Sequence, residues 1–310
     1  MSMTVIRPGV LSLIQDRGRF GHHRIGLTNG GPLDYEAYSY CNRLLENALD
    51  AAVIEISVGG LELRAEVDTF VCLTGAPTPF LVNGEEHPQW QVVPVKAGDT
   101  LSVQFTARGC RCYLGVADGF AIPPSFGSAA TVVREGIGGL HGGKLRAGDT
   151  LSCTAVDRRR SLCLEPQYQP RYQDMLTVRV VPGYQQHLFS REQQRRFFGG
   201  PYRVSERCDR MGYRLEGQPI SCDSGQLLSE GICHGAIQLP PDGQPIVLLN
   251  DRQTIGGYPK IGSALLLDTW RLGQLVPGNT VHFTPISLHT ARKALELARR
   301  FTLARPLREC

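Results

Sequence analysis

Short apolar runs broken by Gly, Pro, Asn and Asp recur along most of the chain, and many of them alternate with polar positions. That period of two predicts half-buried strands at Phe70–Thr74, Leu81–Val82, Thr100–Phe105, Arg111–Val116 and Leu176–Val181. Three stretches carry helical spacing instead. Asp34–Glu46 places Ala37, Tyr38, Cys41, Leu44 and Leu45 on one face, with Asp34 as its N-cap. A short helix starts at Ser190, with Gln193 in capping-box spacing, and stops at Gly199. A final amphipathic helix runs from Ser287 to about Ala304, with Leu288, Ala291, Leu295, Ala298 and Thr302 on the face expected to pack on the body. The pattern predicts a mainly β fold with a few helices.

One phrase occurs three times: KAGDTLSV at Lys96–Val103, RAGDTLSC at Arg146–Cys153 and VPGNTVHF at Val276–Phe283. Each is a Gly-Asx turn feeding an alternating strand, as at a hairpin or barrel corner. Their placement suggests two related β-rich domains. The polar, proline-bearing stretch Asp157–Gln173 reads as a linker between a domain over 1–156 and another over 174–310.

Composition narrows the function classes. Net charge is +4 and spread out, which offers no footprint for nucleic acid. No apolar run approaches a membrane span. The ten cysteines show no CxxC pair and no zinc spacing, so reduced, mostly buried thiols in a cytoplasmic protein are expected, and no metal site. Gly138–Leu145 matches a phosphate-binding loop until Leu145, which stands where the Mg²⁺-holding hydroxyl belongs. No Ala-Met-Lys-Met is present, so no biotin is attached to this chain.

Candidate chemistry concentrates in the second half. Gln238–Ile261 packs a Pro-Pro-Asp-Gly turn, an apolar strand (Pro245–Leu249), the polar cluster Asn250–Thr254 and a Gly-Gly-Tyr-Pro-Lys turn. The strand would deliver Asp251 and Arg252 to its end, and Pro259 would stiffen the turn presenting Lys260. Cys208–Gly217 sets Asp209, Arg210 and Arg214 around Met211 and Tyr213, either a salt-bridged turn or a site. In Ser229–Gln238, Cys233 and His234 point to opposite faces if the segment is a strand, so a joint nucleophilic role is disfavoured. His234 reads as a loop histidine or a proton carrier. The loop Gln15–Gly26, with His22 and His23, reads first as solvated.

The phrases IQDRGRFG, GGPLD, VIEISVGG, DRMGYRLEG and SEGICHGAIQLPPDGQPIVLLNDRQTIGGYPKIG together resemble the allophanate-hydrolase-subunit-2 family. That family includes the C-type component of 5-oxoprolinase, the Kip-type antagonist of a sporulation kinase inhibitor and the carboxyltransferase domain of urea carboxylase. Cys208 stands where the family usually has Ser, Ile255 replaces a common Thr, and GGPLD varies a more usual Ser-Gly-Ala-Met-Asp segment. The resemblance implies two cyclophilin-like β-barrel domains. It also implies a heteromeric complex, with homologues of the enzyme's B-type and A-type components, that cleaves 5-oxoproline to glutamate, with ATP and Mg at the level of the complex. Within it, Lys260, Arg210, Asp251 and Arg252 are the expected catalytic residues. Arg214, Asp209, Tyr258, Gln253 and His234 are expected to bind substrate. Two alternatives stay open: biotin-dependent carboxyl transfer to a urea-like amide, and sequestration of a kinase inhibitor related to the B-type component.

Overall fold

In the computed structural model, which describes residues 1–222 and 227–310, the three Gly-Asx phrases fold alike. In each, the Asx N–H donates to the carbonyl three residues back, and the Asx side chain accepts that residue's own N–H. The side-chain and backbone bonds are 2.7 and 3.0 Å for Lys96/Asp99, 2.8 and 3.1 Å for Arg146/Asp149, and 3.0 and 3.1 Å for Val276/Asn279. Gly98, Gly148 and Gly278 take φ of 97°, 88° and 89°, the left-handed position that a type II turn reserves for glycine. Each turn then clamps a neighbouring strand through two backbone bonds, at Ala65, Val5 and Val204. Strands starting at Thr100, Thr150 and Thr280 follow.

The chain forms two compact units that are discontinuous in sequence. The first holds residues 1–19, 30–172 and 306–310; the second holds 20–29 and 173–305. Residues 157–172, read from composition as linker, therefore belong to the first unit, and residues 20–29 to the second. Pairing explains the former. Leu162–Cys163 forms a two-stranded ladder with Arg308–Glu309, and Leu164 N–H bonds to Trp90 O.

The first unit is built from two sheets. One runs Thr150–Ser152, Ser2–Pro8, Leu61–Ala65, Thr100–Val103, Phe80–Val82, Glu85–His87. The other runs Leu11–Gln15, Val53–Ser57, Arg111–Val116, Thr69–Gly75, Val92–Val95. A core of Met3, Val5, Ile54, Ile56, Leu63, Leu73, Leu101 and Leu114 fills this unit. Helix α1 (Tyr35–Leu44) packs its Ala37, Tyr38, Cys41 and Leu44 with Val53, Cys72 and Tyr113 of the five-stranded sheet. Burial on both faces is why Val53–Ser57 and Arg111–Val116 are buried at every position. Asp34 caps α1 as expected, accepting from Ala37 N–H at 3.1 Å.

The second unit is a closed seven-stranded barrel in the order Met175–Pro182, Lys260–Ala264, Ala236–Gln238, Ile246–Leu248, Gly212–Gly217, Tyr202–Cys208, Thr280–Pro285. Val178, Val180, Tyr213, Leu215, Ile237, Val247 and Val281 are all buried. Helix α2 (Arg191–Gly199) is capped by Ser190 and stacks Phe197 on Phe283, ring centroids 4.5 Å apart. Helix α3 spans Leu266–Leu272, and α4 spans Leu288–Ala304 with Ser287 as its cap. The packing face expected for α4 is only partly covered: Ala291 is buried, whereas Leu288 is exposed.

The thiol expectation needs correction. Cys163 and Cys310 form a disulfide, brought together by the ladder that pairs Cys163 with Arg308. Cys41, Cys72, Cys112 and Cys153 are buried free thiols, but Cys110, Cys208 and Cys222 are half-buried and Cys233 is exposed.

Candidate functional site

Two turns lie side by side at one end of the barrel strands. Leu249 N–H bonds to Met211 O and Asp251 N–H to Arg210 O, both at 2.9 Å, which aligns the turn after Ile246–Leu248 with the turn before Gly212–Gly217. The exposed Asp209 holds its own turn by accepting from Met211 N–H at 2.8 Å and Gly212 N–H at 3.2 Å. Arg210 Nε and Nη2 reach the two carboxylate oxygens of Asp251 at 2.9 and 3.0 Å. Both side chains are 6% exposed, so this is a sealed bidentate pair.

Arg252 is buried beside it and spends its donors on fixed acceptors: Ile232 O at 3.2 Å, Leu249 O at 3.3 Å and Asn29 Oδ1 at 3.3 Å. Burial pulls its guanidinium below the ordinary value. His234 Nε2 lies 3.0 Å from Asn250 Oδ1. Although the residue is only partly buried by area, its ring sits deep enough that burial, then the Arg252 charge, lowers its pKa to about 4. At neutral pH it is an uncharged ring donating to Asn250, a poor proton carrier.

Lys260 stands apart from this group. It opens the barrel strand Lys260–Ala264, and its side chain, 10% exposed, pairs its ammonium with Glu230 Oε1. Glu230 Oε2 accepts from the Tyr184 hydroxyl, and Gln185 Nε2 donates to Glu230 Oε1 at 2.9 Å. Gln185 is itself fixed, since its Oε1 accepts Lys260 N–H at 2.8 Å. Lys260 and then Tyr184 hold the Glu230 carboxyl below the usual range, and Glu230 in turn raises the Tyr184 hydroxyl. Glu230 sits on a flap, the two-residue strand Glu230–Gly231 paired with Ile255–Gly256. The flap is anchored where Ile232 N–H meets Thr254 O at 2.9 Å. Gly256 permits the close approach: a Cβ there would lie 2.6 Å from Ile232 Cδ1 and 3.0 Å from Gln238 Nε2.

The remaining predicted residues are placed differently. Arg214 pairs with Asp242 at the barrel surface, Tyr258 is 45% exposed, and Gln253 is half-buried. The fold thus brings Arg210, Asp251, Arg252 and His234 into one neighbourhood, and gives Lys260 a separate set of partners in Glu230, Tyr184 and Gln185. Sequence reasoning missed those three. The available signal was that the segments around Glu230 and Gly256 flank the strand pair Ala236–Gln238/Ile246–Leu248 and so come back together as a second, outer ladder. Cys233, disfavoured as a nucleophile, exposes its Sγ 3.2 Å from Ser263 Oγ. Among the described residues no group of three or more His, Cys, Asp or Glu is arranged to hold a metal.

Comparison with known proteins agrees with this architecture. The family model described as "Carboxyltransferase domain, subdomain A and B" matches residues 25–285. The chain is 36% identical over 300 residues to the 5-oxoprolinase C subunit of Escherichia coli (strain K12), covering 96% of each chain. It is 35% identical to the 5-oxoprolinase C subunit of Haemophilus influenzae over 90% of each. The crystal structure of the K. lactis urea amidolyase superposes with a TM-score of 0.88 at 26% identity, over 97% of this chain and 20% of that one. With a family model spanning most of its length and a relative aligned nearly end to end, the chain belongs to the carboxyltransferase domain, subdomain A and B, family.

Proposed function

We propose that this chain is the C-type component of an ATP-dependent 5-oxoprolinase, acting with homologues of the A-type and B-type components to convert 5-oxoproline to glutamate in the cytoplasm. The observation that carries the reading is the 96% mutual coverage with a protein named as the C subunit of 5-oxoprolinase. The urea amidolyase of Saccharomyces cerevisiae, by contrast, is matched over only 17% of its length.

In this reading Lys260 is the residue that meets the substrate. Its ammonium is nearly buried, and a preorganised cation in a dry setting stabilises charge developing on a lactam carbonyl oxygen far better than one in water. Tyr184 and Gln185 add hydrogen-bond donors around the same point. Arg210, Asp251 and Arg252, first assigned to catalysis, act by fixing the turns that carry the flap. His234 and Asp209 hold the neighbouring turns, Gln253 and Tyr258 lie on the segments leading to Lys260, and Arg214 stays with Asp242 at the barrel surface. The donors around Lys260 do not make a Mg–ATP cradle: its cation is matched to a carboxylate, and Glu230 is its only acidic partner among the described residues. ATP with Mg is therefore assigned to the complex as a whole.

The test is ATP hydrolysis coupled to glutamate formation in a mixture of this chain with its A-type and B-type partners. Turnover lost on omitting the chain supports the reading, and turnover unchanged with active partners overturns it. A second reading, carboxyl transfer from a carrier-borne carboxybiotin to a urea-like amide, draws on the TM-score of 0.88 to a urea amidolyase. It predicts turnover that requires a biotinylated carrier.

A further inference from the structure

We propose that the Lys260 cluster is a carboxylate-binding site that the free chain fills with its own Glu230, so that a carboxylate ligand binds by displacing that side chain. The donors and the acceptor differ in how firmly they are held. Lys260 is part of a barrel strand, and Gln185, 7% exposed, is locked to the Lys260 backbone. Both are positioned whether or not Glu230 is present. Glu230 belongs to a ladder of two residue pairs, and its side chain is 34% exposed. Lys260, Tyr184 and Gln185 all converge on this one carboxylate, which is how a protein recognises a carboxylate ligand.

A second observation points to a ligand at the same place. Gln238 is 1% exposed, and its Nε2 has no hydrogen-bond partner among the described residues. A buried amide donor left unpaired costs stability, so such a group calls for an acceptor that the free chain does not supply. Gln238 is the ladder partner of Lys260, which puts the two side chains on one face of the sheet. Its amide lies beneath Gly256, the residue paired with Glu230. Lifting the flap therefore uncovers an ammonium freed of its carboxylate and an amide waiting for an oxygen. Apart from Glu230, no acceptor faces Lys260 Nζ among the described residues, so an incoming carboxylate has one competitor to remove.

The link to 5-oxoproline rests on the function proposed above; the carboxylate site itself does not. The experiment is calorimetric titration of the full chain with acetate, with L-5-oxoproline and with 2-pyrrolidone, the lactam that lacks a carboxylate. Glu230→Gln removes the competing charge, and an affinity limited by the fraction of open sites rises as that fraction rises. Glu230→Gln should bind both carboxylates on the order of tenfold more tightly than the natural chain, with no gain for 2-pyrrolidone. Glu206→Gln, an equal charge change at an exposed position of the same unit, should leave all three unchanged. Equal or weaker carboxylate binding by Glu230→Gln overturns the proposal, as does an equal gain in Glu206→Gln. Should Glu230→Gln fold poorly, NMR of the natural chain decides. The Gln238 side-chain amide shifts on adding acetate if the proposal holds and stays put if it does not. Tighter carboxylate binding by Glu230→Gln, together with 5-oxoproline turnover that ignores omission of the chain, leaves this site standing and removes the 5-oxoprolinase reading. Turnover that needs the chain, with no tightening, does the reverse.

Discussion

Arg210–Asp251 and Lys260–Glu230 are both ion pairs of the barrel unit. In the first, each side chain is 6% exposed, and two parallel bonds fix the geometry. In the second, the lysine side chain is 10% exposed and the glutamate side chain 34%, and the carboxylate hangs from a short ladder. A sealed pair cannot exchange partners without placing a bare charge in the interior, which is prohibitively costly. A pair open on its acid side can, because water and ligand reach the carboxylate. Opposite charges side by side therefore do not mark a site; unequal exposure and unequal anchoring do.

The sharpest way to break that comparison is to cut the sealed pair. Asp251→Ala leaves the Arg210 guanidinium without its bidentate carboxylate and should cost about 3–5 kcal/mol. Urea unfolding followed by Trp270 in a Trp90→Phe background reads the barrel unit alone, since Trp90 lies in the other unit. A loss below about 1 kcal/mol would show that the pair is not sealed in solution.

Acid provides the next largest effect in the same neighbourhood. The folded-state pKa of His234 is about 4, below the roughly 6.5 of an unfolded histidine. A lowered folded pKa means that the unfolded chain binds the proton first. The contribution is therefore complete above about pH 6.5 and is lost as pH falls toward 4, amounting to about 3 kcal/mol over the window. His234→Gln keeps a donor for Asn250 and should flatten the stability slope between those pH values. An unchanged slope would assign the acid sensitivity elsewhere.

Glu230 should then show the opposite balance. Glu230→Gln keeps an uncharged oxygen beside the Lys260 ammonium, and water reaches the pair from the acid side, so its stability cost should be smaller than that of Asp251→Ala, about 1–2 kcal/mol, in the same urea experiment. A cost of the Asp251→Ala size would place both pairs in one structural class and remove the contrast.

What could be read from the sequence, and what could not, follows the same physics. The caps at Asp34 and Ser190, the helix start at Ser287 and the three Gly-Asx turns were legible, because each is decided by residues within a few positions of one another. Arg210, Asp251 and Arg252 stood out as charges in apolar surroundings, but that signal is shared by sealed pairs and by sites. Glu230 and Tyr184 carry no local signal; they meet because barrel closure and the outer ladder bring positions 184, 230 and 260 together. The Cys163–Cys310 disulfide, 147 residues apart in sequence, was hidden for the same reason, as was the return of residues 306–310 to the first unit.

The smallest predicted effect tests whether exposure alone makes a pair exchangeable. Arg214 and Asp242 pair at the barrel surface, with side chains 24% and 47% exposed. This pair is as open as Lys260–Glu230 on its acid side, but its cation is open too. Among the described residues, no second side-chain donor converges on Asp242 and no unpaired buried amide accompanies it. Water screens such a pair, so Arg214→Ala should change barrel stability by no more than about 0.5–1 kcal/mol. Acetate binding should be the same with and without Arg214. If Arg214→Ala instead weakened acetate binding as strongly as Lys260→Met, recognition would lie with any solvent-reachable cation on this face. The distinguishing feature of Lys260, a nearly buried ammonium with a displaceable acid, would then lose its meaning.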